Sequence, residues 1–424
     1  MYKEIIKDFQ KDFLDKKAKK REIEFSFDIL KLNKIITFIW PRRAWKTYFM
    51  FYILDKLIKD EFLELEQIVF IDFSAFIDKD FDIKKLLENF YALYPYKEPF
   101  FIFDEIQELE NFSKIILYLF NKNYKIFLSW SNSKLLSSEL STEFRWRTYD
   151  IKVFPLNFSE FLYFKNIEKI DLYTSKQKWF LQNTYLEYLQ FWAYPEIVLI
   201  DNKNIKFDLL KAYFEIVLYK DLLERYWVEN EYVLKYLFKK IILNNTKEFS
   251  ISKVFNELKS QNIKIWIQTL YNYLEYFKEI FFLSEINDKY KKIWKKFYLY
   301  DVWFTNLIDK NNLWQRFENV VYISLLRKYW DINYINNNWE IDFVLEKEDL
   351  AIQVCFDLNI ENIDRELKQL EKSNYKNKIL IYFNTSKDFK VDWINILNIF
   401  EFEKYLEWVE KQKNNDFNFF KKIT

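Results

Sequence analysis

The stretch WPRRAWKT, at residues 40–47, determines how the rest of this chain is interpreted. Before it, residues 34–39 (KIITFI) are apolar and β-branched, as in a short buried strand. After it, residues 46–58 have the apolar spacing of a helix. The loop between strand and helix is basic and ends in Trp-Lys-Thr. It is the first feature that needs an explanation.

Residue usage is abnormal for two amino acids. The 424 residues include no glycine and 15 tryptophans, whereas an average usage of about 7% predicts roughly 30 glycines. Without glycine, a globular chain must build every left-handed turn from residues that are strained in that conformation. One hypothesis explains both anomalies: the gene comes from a lineage that reads UGA as glycine, and those codons appear here as tryptophan.

Glycine at positions 40 and 45 turns the stretch into GPRRAGKT, which matches the phosphate-binding loop G-x-x-x-x-G-K-[ST] between a strand and a helix. Glycine is needed there because backbone N–H groups curl around the β-phosphate, and an indole would block that path. Lys46 would neutralise the β- and γ-phosphates, and the Thr47 hydroxyl would ligate Mg²⁺. The alternative is an ordinary basic loop before a helix. The predicted ATP-binding residues are Trp40, Pro41, Arg42, Arg43, Ala44, Trp45, Lys46 and Thr47.

An acidic pair follows a further buried segment. Residues 99–103 (PFFIF) have the pattern of a strand and run directly into Asp104 and Glu105. In this position Asp104 suits a residue that organises Mg²⁺, and Glu105 suits a catalytic residue that orients the attacking water. Acidic pairs also occur as solvated strand ends, so the order of the motifs supports the assignment more than the pair itself.

Two later segments provide further candidate residues. The strand at 125–129 ends in small polar residues, where Ser129 or Asn132 could contact the γ-phosphate as a sensor. Serines in loops are more often simple turn formers. Beyond them, Arg147 is a candidate arginine finger for a neighbouring subunit, and a surface salt bridge is the competing interpretation.

Apolar segments alternate with helical ones throughout the first part of the chain. The strand candidates are residues 34–39, 67–72, 99–103, 125–129 and 150–154. Strands that alternate with helices predict an α/β fold with a parallel sheet and helices on both faces.

Composition excludes several classes of chemistry. The chain has no histidine and only one cysteine, Cys355, so we do not expect Ser-His-Asp or Cys-His nucleophiles, multi-cysteine zinc sites or an internal disulfide. Charged or polar residues interrupt every apolar run, and the charged N-terminus lacks a secretory pattern. We therefore expect a cytoplasmic protein without a membrane span. A net charge of +1 gives no overall attraction to nucleic acid.

This order of motifs resembles the AAA-type P-loop ATPases of bacteria and archaea that carry a winged helix and a restriction-endonuclease-like C-terminal domain. The resemblance spans almost the whole chain. It has glycine where this chain has tryptophan at 40, 45, 130, 146, 192, 303, 330 and 339. The matching segments are WPRRAWKT, FIFDEIQELENF, KIFLSWSNSKLLSSELSTEFRWRTYDIKVFPLNFSEFL, FWAYPEIV, TLYNYLEYF, FYLYDVWFTNLI and RFENVVYISLLRKYWDINYINNNWEIDFVL.

The resemblance implies a division into five parts. After an N-terminal helical segment at 1–28, the P-loop ATPase core occupies 29–165. A helical lid follows at 166–230, a winged helix at 231–300, and a small α/β restriction-endonuclease-like domain at 301–424.

The last domain departs from the pattern of active nucleases. Glu318 and Asp342 fit the first two acidic positions, and Glu340 lies nearby. The third motif, Glu-x-Lys, is replaced by Gln353-Val-Cys355, which lacks both a carboxylate ligand and an ammonium group. We therefore expect a degenerate domain with a structural or binding role, and no nuclease activity.

The winged-helix segment is rich in lysine. A basic wing could contact DNA phosphates without base specificity, although lysine-rich turns also serve solubility alone. The lysines concerned are Lys253, Lys259, Lys264, Lys289, Lys291, Lys292, Lys295 and Lys296.

Three functions remain open at this stage. The first is Mg²⁺-dependent ATP hydrolysis that drives a conformational switch on a DNA or protein partner. The second is an ATP-regulated DNA-binding regulator without significant turnover, and the third is an ATP-controlled nuclease. The sequence does not decide the partner or the oligomeric state.

The recoding hypothesis predicts that protein purified from its natural source contains glycine at positions 40 and 45. Peptide mass spectrometry across residues 34–59 measures this directly. Detection of tryptophan at both positions would contradict the hypothesis and remove the phosphate-binding loop.

Overall fold

The structure is a computed structural model that describes residues 1–15, 19–23, 25–39, 46–75, 81–130, 144, 146–167, 174–191, 193–291, 294–309 and 312–420. The chain divides into two compact units. The first comprises Met1–Glu168, Ala193–Asp201 and Glu279–Phe281, and the second comprises Lys169–Trp192, Asn202–Lys278 and Phe282–Thr424.

The first unit is built around a parallel sheet. Within its described residues, five strands lie in the order β2-β3-β4-β1-β5 and all neighbouring pairs are parallel. This confirms the predicted α/β class. The elements, in chain order, are α1 (Tyr2–Asp15), β1 (Ile35–Ile39), α2 (Lys46–Lys59), β2 (Ile68–Asp72), α3 (Ile83–Leu93), β3 (Phe100–Asp104), α4 (Phe112–Asn121), β4 (Lys125–Trp130), β5 (Thr148–Lys152) and α5 (Phe158–Phe164).

Helices cover both faces of this sheet, which explains why its central strands are apolar along their whole length. On one face, Ile35 and Phe101 pack in a cluster with residues of α3 and α4. On the other face, Ile36 and Phe38 pack in a cluster with residues of α2. Helix α1 contributes to both clusters. Successive strand residues alternate between the two cores, as the pleat requires.

The second unit begins with helices and ends with a separate sheet. In its described part, five strands lie in the order β12-β11-β10-β9-β8, with mixed pairing, and β6 and β7 form an antiparallel pair. Its helices are α6 (Ser175–Phe191), α7 (Lys203–Ile216), α8 (Glu231–Leu243), α9 (Ile251–Ser260), α10 (Ile267–Glu279), α11 (Leu313–Leu326), α12 (Ile363–Glu371) and α13 (Ile399–Phe420). Its strands are β6 (Leu283–Asn287), β7 (Lys295–Leu299), β8 (Asn333–Asn336), β9 (Glu340–Leu345), β10 (Leu350–Leu358), β11 (Asn377–Thr385) and β12 (Asn395–Asn398).

The separate C-terminal sheet agrees with the expected second α/β region. Within residues 231–300, where the resemblance implies a winged helix, the chain forms α8, α9, α10, β6 and β7, and the winged helix itself remains a prediction. The boundaries of the five parts inferred from the resemblance remain predictions.

Several tryptophans occupy positions that suit tryptophan poorly. Trp146 has φ 59° and Trp227 has φ 49°, in the left-handed region that favours glycine, and their side chains are 90% and 88% exposed. The buried Trp130 leaves its indole N–H without a hydrogen-bond partner among the described residues. An exposed indole on a left-handed backbone and an orphaned buried donor are both unfavourable.

Replacing Trp146 or Trp227 with glycine should raise the free energy of unfolding by about 1 kcal/mol each, because glycine adopts a left-handed backbone without steric cost. Urea unfolding of each variant measures the change. The matched control is Trp179→Gly, an exposed position inside α6, where glycine should lower stability by about 0.5–1 kcal/mol. Equal destabilisation by all three substitutions would contradict this interpretation.

Candidate functional site

The candidate site lies at the carboxyl edge of the parallel sheet. Lys46 and Thr47 begin α2, a short distance after β1 ends at Ile39. Asp104 is the last residue of β3, and Ser129 lies near the end of the neighbouring strand β4. Because the strands are parallel, their carboxyl ends meet at one edge, which is where ligands bind in open α/β sheets.

Hydrogen bonds join these residues through the Asp104 carboxylate. The Thr47 hydroxyl donates to Asp104 Oδ2, and the Ser129 hydroxyl donates to Asp104 Oδ1. The same Ser129 oxygen accepts the backbone N–H of Glu105 at 3.1 Å. The start of α2 and the ends of β3 and β4 are therefore connected through one carboxylate.

Lys46 and Glu105 form the charged part of the site. Lys46 is buried, and its Nζ lies 3.8 Å from Glu105 Oε1. Glu105 has φ 49°, a left-handed conformation that a residue with a side chain adopts at a steric cost. Gln107 Nε2 donates to the other carboxylate oxygen of Glu105. The acidic side chain is thus held beside the ammonium group by contacts on two sides.

Burial, together with the adjacent Glu105 carboxylate, raises the pKa of Asp104 to about 6. Hydrogen bonds from Ser129 and Thr47, and the positive charge of Lys46, oppose this shift. A buried carboxylate is costly as an anion unless a cation or donors compensate it. Hydroxyl and carboxylate oxygens are the ligands that Mg²⁺ prefers, so Thr47 and Asp104 are chemically suited to hold this ion.

Not every predicted residue joins this group. The predicted sensor Asn132 lies outside the described residues, as do six residues of the predicted phosphate-binding loop: Trp40, Pro41, Arg42, Arg43, Ala44 and Trp45. Arg147 precedes β5, and its carbonyl accepts the N–H of Ile35 at the opposite, amino edge of the sheet. Its guanidinium lies 5.8 Å from the ring centre of Phe120. Arg147 therefore does not reach the site of its own chain.

Sequence reasoning missed the contact that Ser129 makes. It predicted a phosphate sensor, whereas the hydroxyl bridges Asp104 and the Glu105 backbone. A serine near the end of the strand beside an acidic pair was the available signal, but the strand order needed to use it was not known. Whether Ser129 also senses a phosphate remains a prediction.

A second charged cluster lies within the C-terminal unit. Glu318 on α11 accepts a hydrogen bond from Tyr298 Oη at 2.8 Å, and Asp342 on β9 accepts one from Val354 N–H at 2.9 Å. The buried Lys296 places its Nζ 2.9 Å from Glu340 Oε1 and 3.6 Å from Asp342 Oδ1. An ammonium group from β7 therefore neutralises the acidic residues expected of a nuclease.

The pKa shifts in this cluster agree with its geometry. Burial alone would lower the pKa of Lys296, but the carboxylates of Glu318, Asp342 and Glu340 outweigh it and raise the pKa. Burial and the Asp342 carboxylate raise the pKa of Glu318 to about 8, and burial raises the pKa of Asp342 to about 6. Across the described residues, no group of three or more His, Cys, Asp or Glu side chains is arranged to hold a metal ion.

The lysines predicted to form a basic wing largely contact their own chain. Lys289 Nζ lies 2.8 Å from Glu346 Oε1, Lys291 Nζ donates to the Asn336 carbonyl at 3.2 Å, and Lys295 pairs with Glu285 at 2.6 Å. Lys296 is buried, as are the three residues of β7 that follow it, whereas Lys295 at the start of the strand is half-buried. Lys292 lies outside the described residues.

No helix in the described part of the chain is both long enough and apolar enough to cross a membrane.

Comparison with known proteins gives matches to most of the chain and, for one domain family, to part of its first unit. Residues 32–162 match the AAA domain family, a range that includes all five strands of the parallel sheet. Over 414 residues the chain is 36% identical to the uncharacterized protein MJ1544 of Methanocaldococcus jannaschii, covering 93% of this chain and 88% of that protein. An uncharacterized protein of Haemophilus influenzae is 28% identical over 378 residues, covering 84% of this chain and 91% of that protein.

Among solved structures, the Walker-type ATPase PABY2304 of Pyrococcus abyssi aligns with a TM-score of 0.46 and 14% sequence identity. The alignment covers 70% of this chain and 99% of that chain.

The C-terminal cluster predicts an effect of pH on one substitution. Lys296→Met should lower the free energy of unfolding by about 3 kcal/mol at about pH 8, because it leaves buried carboxylates without a counter-charge. At about pH 5 the loss should shrink, since Glu318 and Asp342, whose pKa values are already raised, then bind protons in the folded state. Urea unfolding at the two pH values measures the difference.

The matched control is Lys295→Met on the same strand, which removes a partly exposed pair and should cost about 0–1 kcal/mol at either pH. If Lys296→Met cost no more than this control, or cost the same at both pH values, the ammonium group would not be balancing the cluster.

Proposed function

The chain belongs to the family of MJ1544 from Methanocaldococcus jannaschii and carries an AAA domain, and on this basis we propose that it is an ATPase. The substrate is ATP with Mg²⁺, and the products are ADP and phosphate. The proposed binding residues are Lys46, Thr47 and Asp104, and Glu105 is the proposed catalytic residue.

The observation that carries this proposal is the convergence of five side chains on one edge of the sheet. Thr47 and Ser129 hydrogen-bond the Asp104 carboxylate, and Lys46 lies 3.8 Å from Glu105. Phosphoryl transfer to water requires oxygen ligands for Mg²⁺, a cation for the phosphates and a group that orients the water. Thr47 and Asp104 offer the oxygen ligands, Lys46 the cation and Glu105 the orienting carboxylate.

The proposed roles follow from the chemistry of each group. When bound, Mg²⁺ neutralises phosphate oxygens, and Thr47 and Asp104 would hold it. Lys46 would exchange its contact with Glu105 for the more highly charged β- and γ-phosphates. Glu105 would then be available to hydrogen-bond and orient the attacking water. Arg147 lies at the other edge of the sheet, so an arginine-finger role is proposed only toward a neighbouring subunit.

The active form has glycine at positions 40 and 45, because two indoles in the phosphate-binding loop would block the path of the phosphates. The left-handed backbone of Trp146 and Trp227 supports the same recoding elsewhere in the chain. Nine tryptophans in the described residues are exposed, which is unusual for a residue that is highly buried on average.

We further propose that hydrolysis drives a conformational switch on a partner. For DNA, the winged-helix segment would have to use residues outside the wing, since the described wing lysines contact their own chain. Lys253 and Lys259 on α9 and the nearby Lys264 are exposed and could contact phosphates. A protein partner is the alternative, and the degenerate C-terminal domain would then serve as a binding or structural element.

In protein carrying Trp40→Gly and Trp45→Gly, Lys46→Ala should abolish ATP binding, because the buried ammonium group is lost. Glu105→Gln should keep binding but lower turnover by about 100-fold or more, since a neutral amide orients and polarises the attacking water less strongly than a carboxylate does. Binding is measured by isothermal titration calorimetry with MgATP, and turnover by phosphate release. The matched controls are Lys59→Ala and Glu108→Gln, both exposed, which should leave both quantities unchanged.

Equal turnover in the parent and in the Lys46 and Glu105 variants would contradict the proposal. The alternatives have different signatures in the same assays. ATP-dependent DNA binding without turnover would favour a regulator. Mg²⁺-dependent DNA cleavage that disappears with Asp342→Ala would show an active nuclease.

A further inference from the structure

A cavity of about 640 Å³ lies within the second unit, and none of its lining residues belongs to the carboxylate cluster of that unit. Leu186 and Phe191 of α6, Phe207 of α7 and Trp303 form apolar parts of its wall. Phe207 and Trp303 meet edge to face, with ring centres 5.8 Å apart. The volume falls within the range of small-molecule sites.

The buried charged residue of this cavity is Arg316 of α11, and the other polar or charged residues of the wall are Gln190, Lys203, Asn204, Asp208 and Asn306. Arg316 is only 1% exposed, although it lines the cavity. Nε donates to Thr305 Oγ1 at 2.7 Å, and one terminal nitrogen, Nη2, donates to the Asp309 carbonyl at 2.6 Å. The other terminal nitrogen, Nη1, has no hydrogen-bond partner among the described residues. The guanidinium is therefore fixed in orientation and has donors remaining on the cavity side.

The charge of Arg316 is incompletely compensated. In the described part of the chain, no carboxylate lies within ion-pair distance of it. Burial lowers the pKa of Arg316 to about 10, which the nearby Asp309 carboxylate offsets only in part. Lys203 adds a second cation to the cavity wall, and Asp208 is the acidic residue on that wall. A buried, oriented cation without a paired anion is the environment that an anionic ligand stabilises.

We propose that this cavity binds a small organic anion. Arg316 holds the carboxylate or phosphate group of the ligand, Lys203 adds attraction at the rim, and the apolar side chains pack against the rest of the molecule. The fixed guanidinium favours ligands with a planar or tetrahedral anionic group at one end and an apolar or aromatic body at the other.

Position 303 is one of those at which the family pattern has glycine. Glycine there removes the indole from the wall and enlarges the cavity, while the contacts of Arg316 with Thr305 and Asp309 do not involve the indole. The anion subsite is therefore expected in either form of the protein. The size of the apolar body that fits depends on residue 303.

The test is isothermal titration calorimetry of the full chain with naphthalene-2-carboxylate and with its neutral analogue naphthalene-2-carboxamide. The carboxylate should bind saturably at one site. The carboxamide should bind at least about tenfold more weakly, because it lacks the charge that Arg316 recognises. Arg316→Met should abolish binding of the carboxylate. Lys203→Gln should weaken binding by about threefold, whereas Lys211→Gln, an exposed lysine of the same helix outside the cavity, should leave it unchanged.

Two further variants keep the result interpretable. Leu186→Trp fills the cavity while Arg316 itself is unchanged. It should abolish binding of the probe even if Arg316→Met proves too unstable to measure. Lys46→Ala should leave probe binding intact, which separates this site from the proposed nucleotide site. Equal affinities for carboxylate and carboxamide, unchanged binding in Leu186→Trp, or no saturable binding below about 1 mM would overturn the proposal.

Discussion

The first unit depends on the burial of one carboxylate, that of Asp104. Apolar strands surround it on both sides, and a buried carboxylate must be hydrogen-bonded to be tolerated. Thr47 and Ser129 provide the two hydroxyl donors, and they come from the start of α2 and the end of β4. These hydrogen bonds therefore fix the start of α2 relative to the ends of the neighbouring strands β3 and β4. Lys46 is held beside Glu105 as a consequence, because it is the residue before Thr47.

The sequence predicts local features of this arrangement well and non-local ones poorly. Four strands of the parallel sheet are short apolar runs, and the structure places them within one residue of the predicted segments. The fifth, β5, contains Asp150 and Lys152 and begins two residues before the predicted segment 150–154, because an edge strand lacks the continuous apolar pattern. Asp104 and Glu105 were recognisable because they follow such a run directly. Lys296 was assigned to the surface of a wing, since its burial depends on the pairing of β7 and on the distant carboxylates of α11 and β9. Arg316 gave no signal either, because its cavity is formed by segments more than a hundred residues apart in the chain.

The tryptophans fall into two groups with opposite consequences for the recoding hypothesis. At Trp146 and Trp227 the backbone is left-handed and the indole lies in solvent, so glycine would relieve strain and lose no packing. At Trp303 the indole is fully buried and contacts Phe207 and Phe304, so glycine would leave a space to be filled. Interiors rarely keep voids of that size. Either the neighbouring rings move inward, or the space becomes part of the cavity beside Arg316. In the second case, whether position 303 is glycine or tryptophan determines the size of the ligand that the cavity accepts.

The contact between Lys46 and Glu105 also has a consequence for the proposed catalysis. An ammonium group 3.8 Å from a carboxylate is attracted to it, and this attraction must be replaced when Lys46 turns to a phosphate. The replacement is favourable because a triphosphate carries more charge than one carboxylate. If Lys46 moved to a phosphate, Glu105 would lose this attraction and would accept a hydrogen bond from water more readily. Nucleotide binding would thus free Glu105 to orient the attacking water when the substrate is in place.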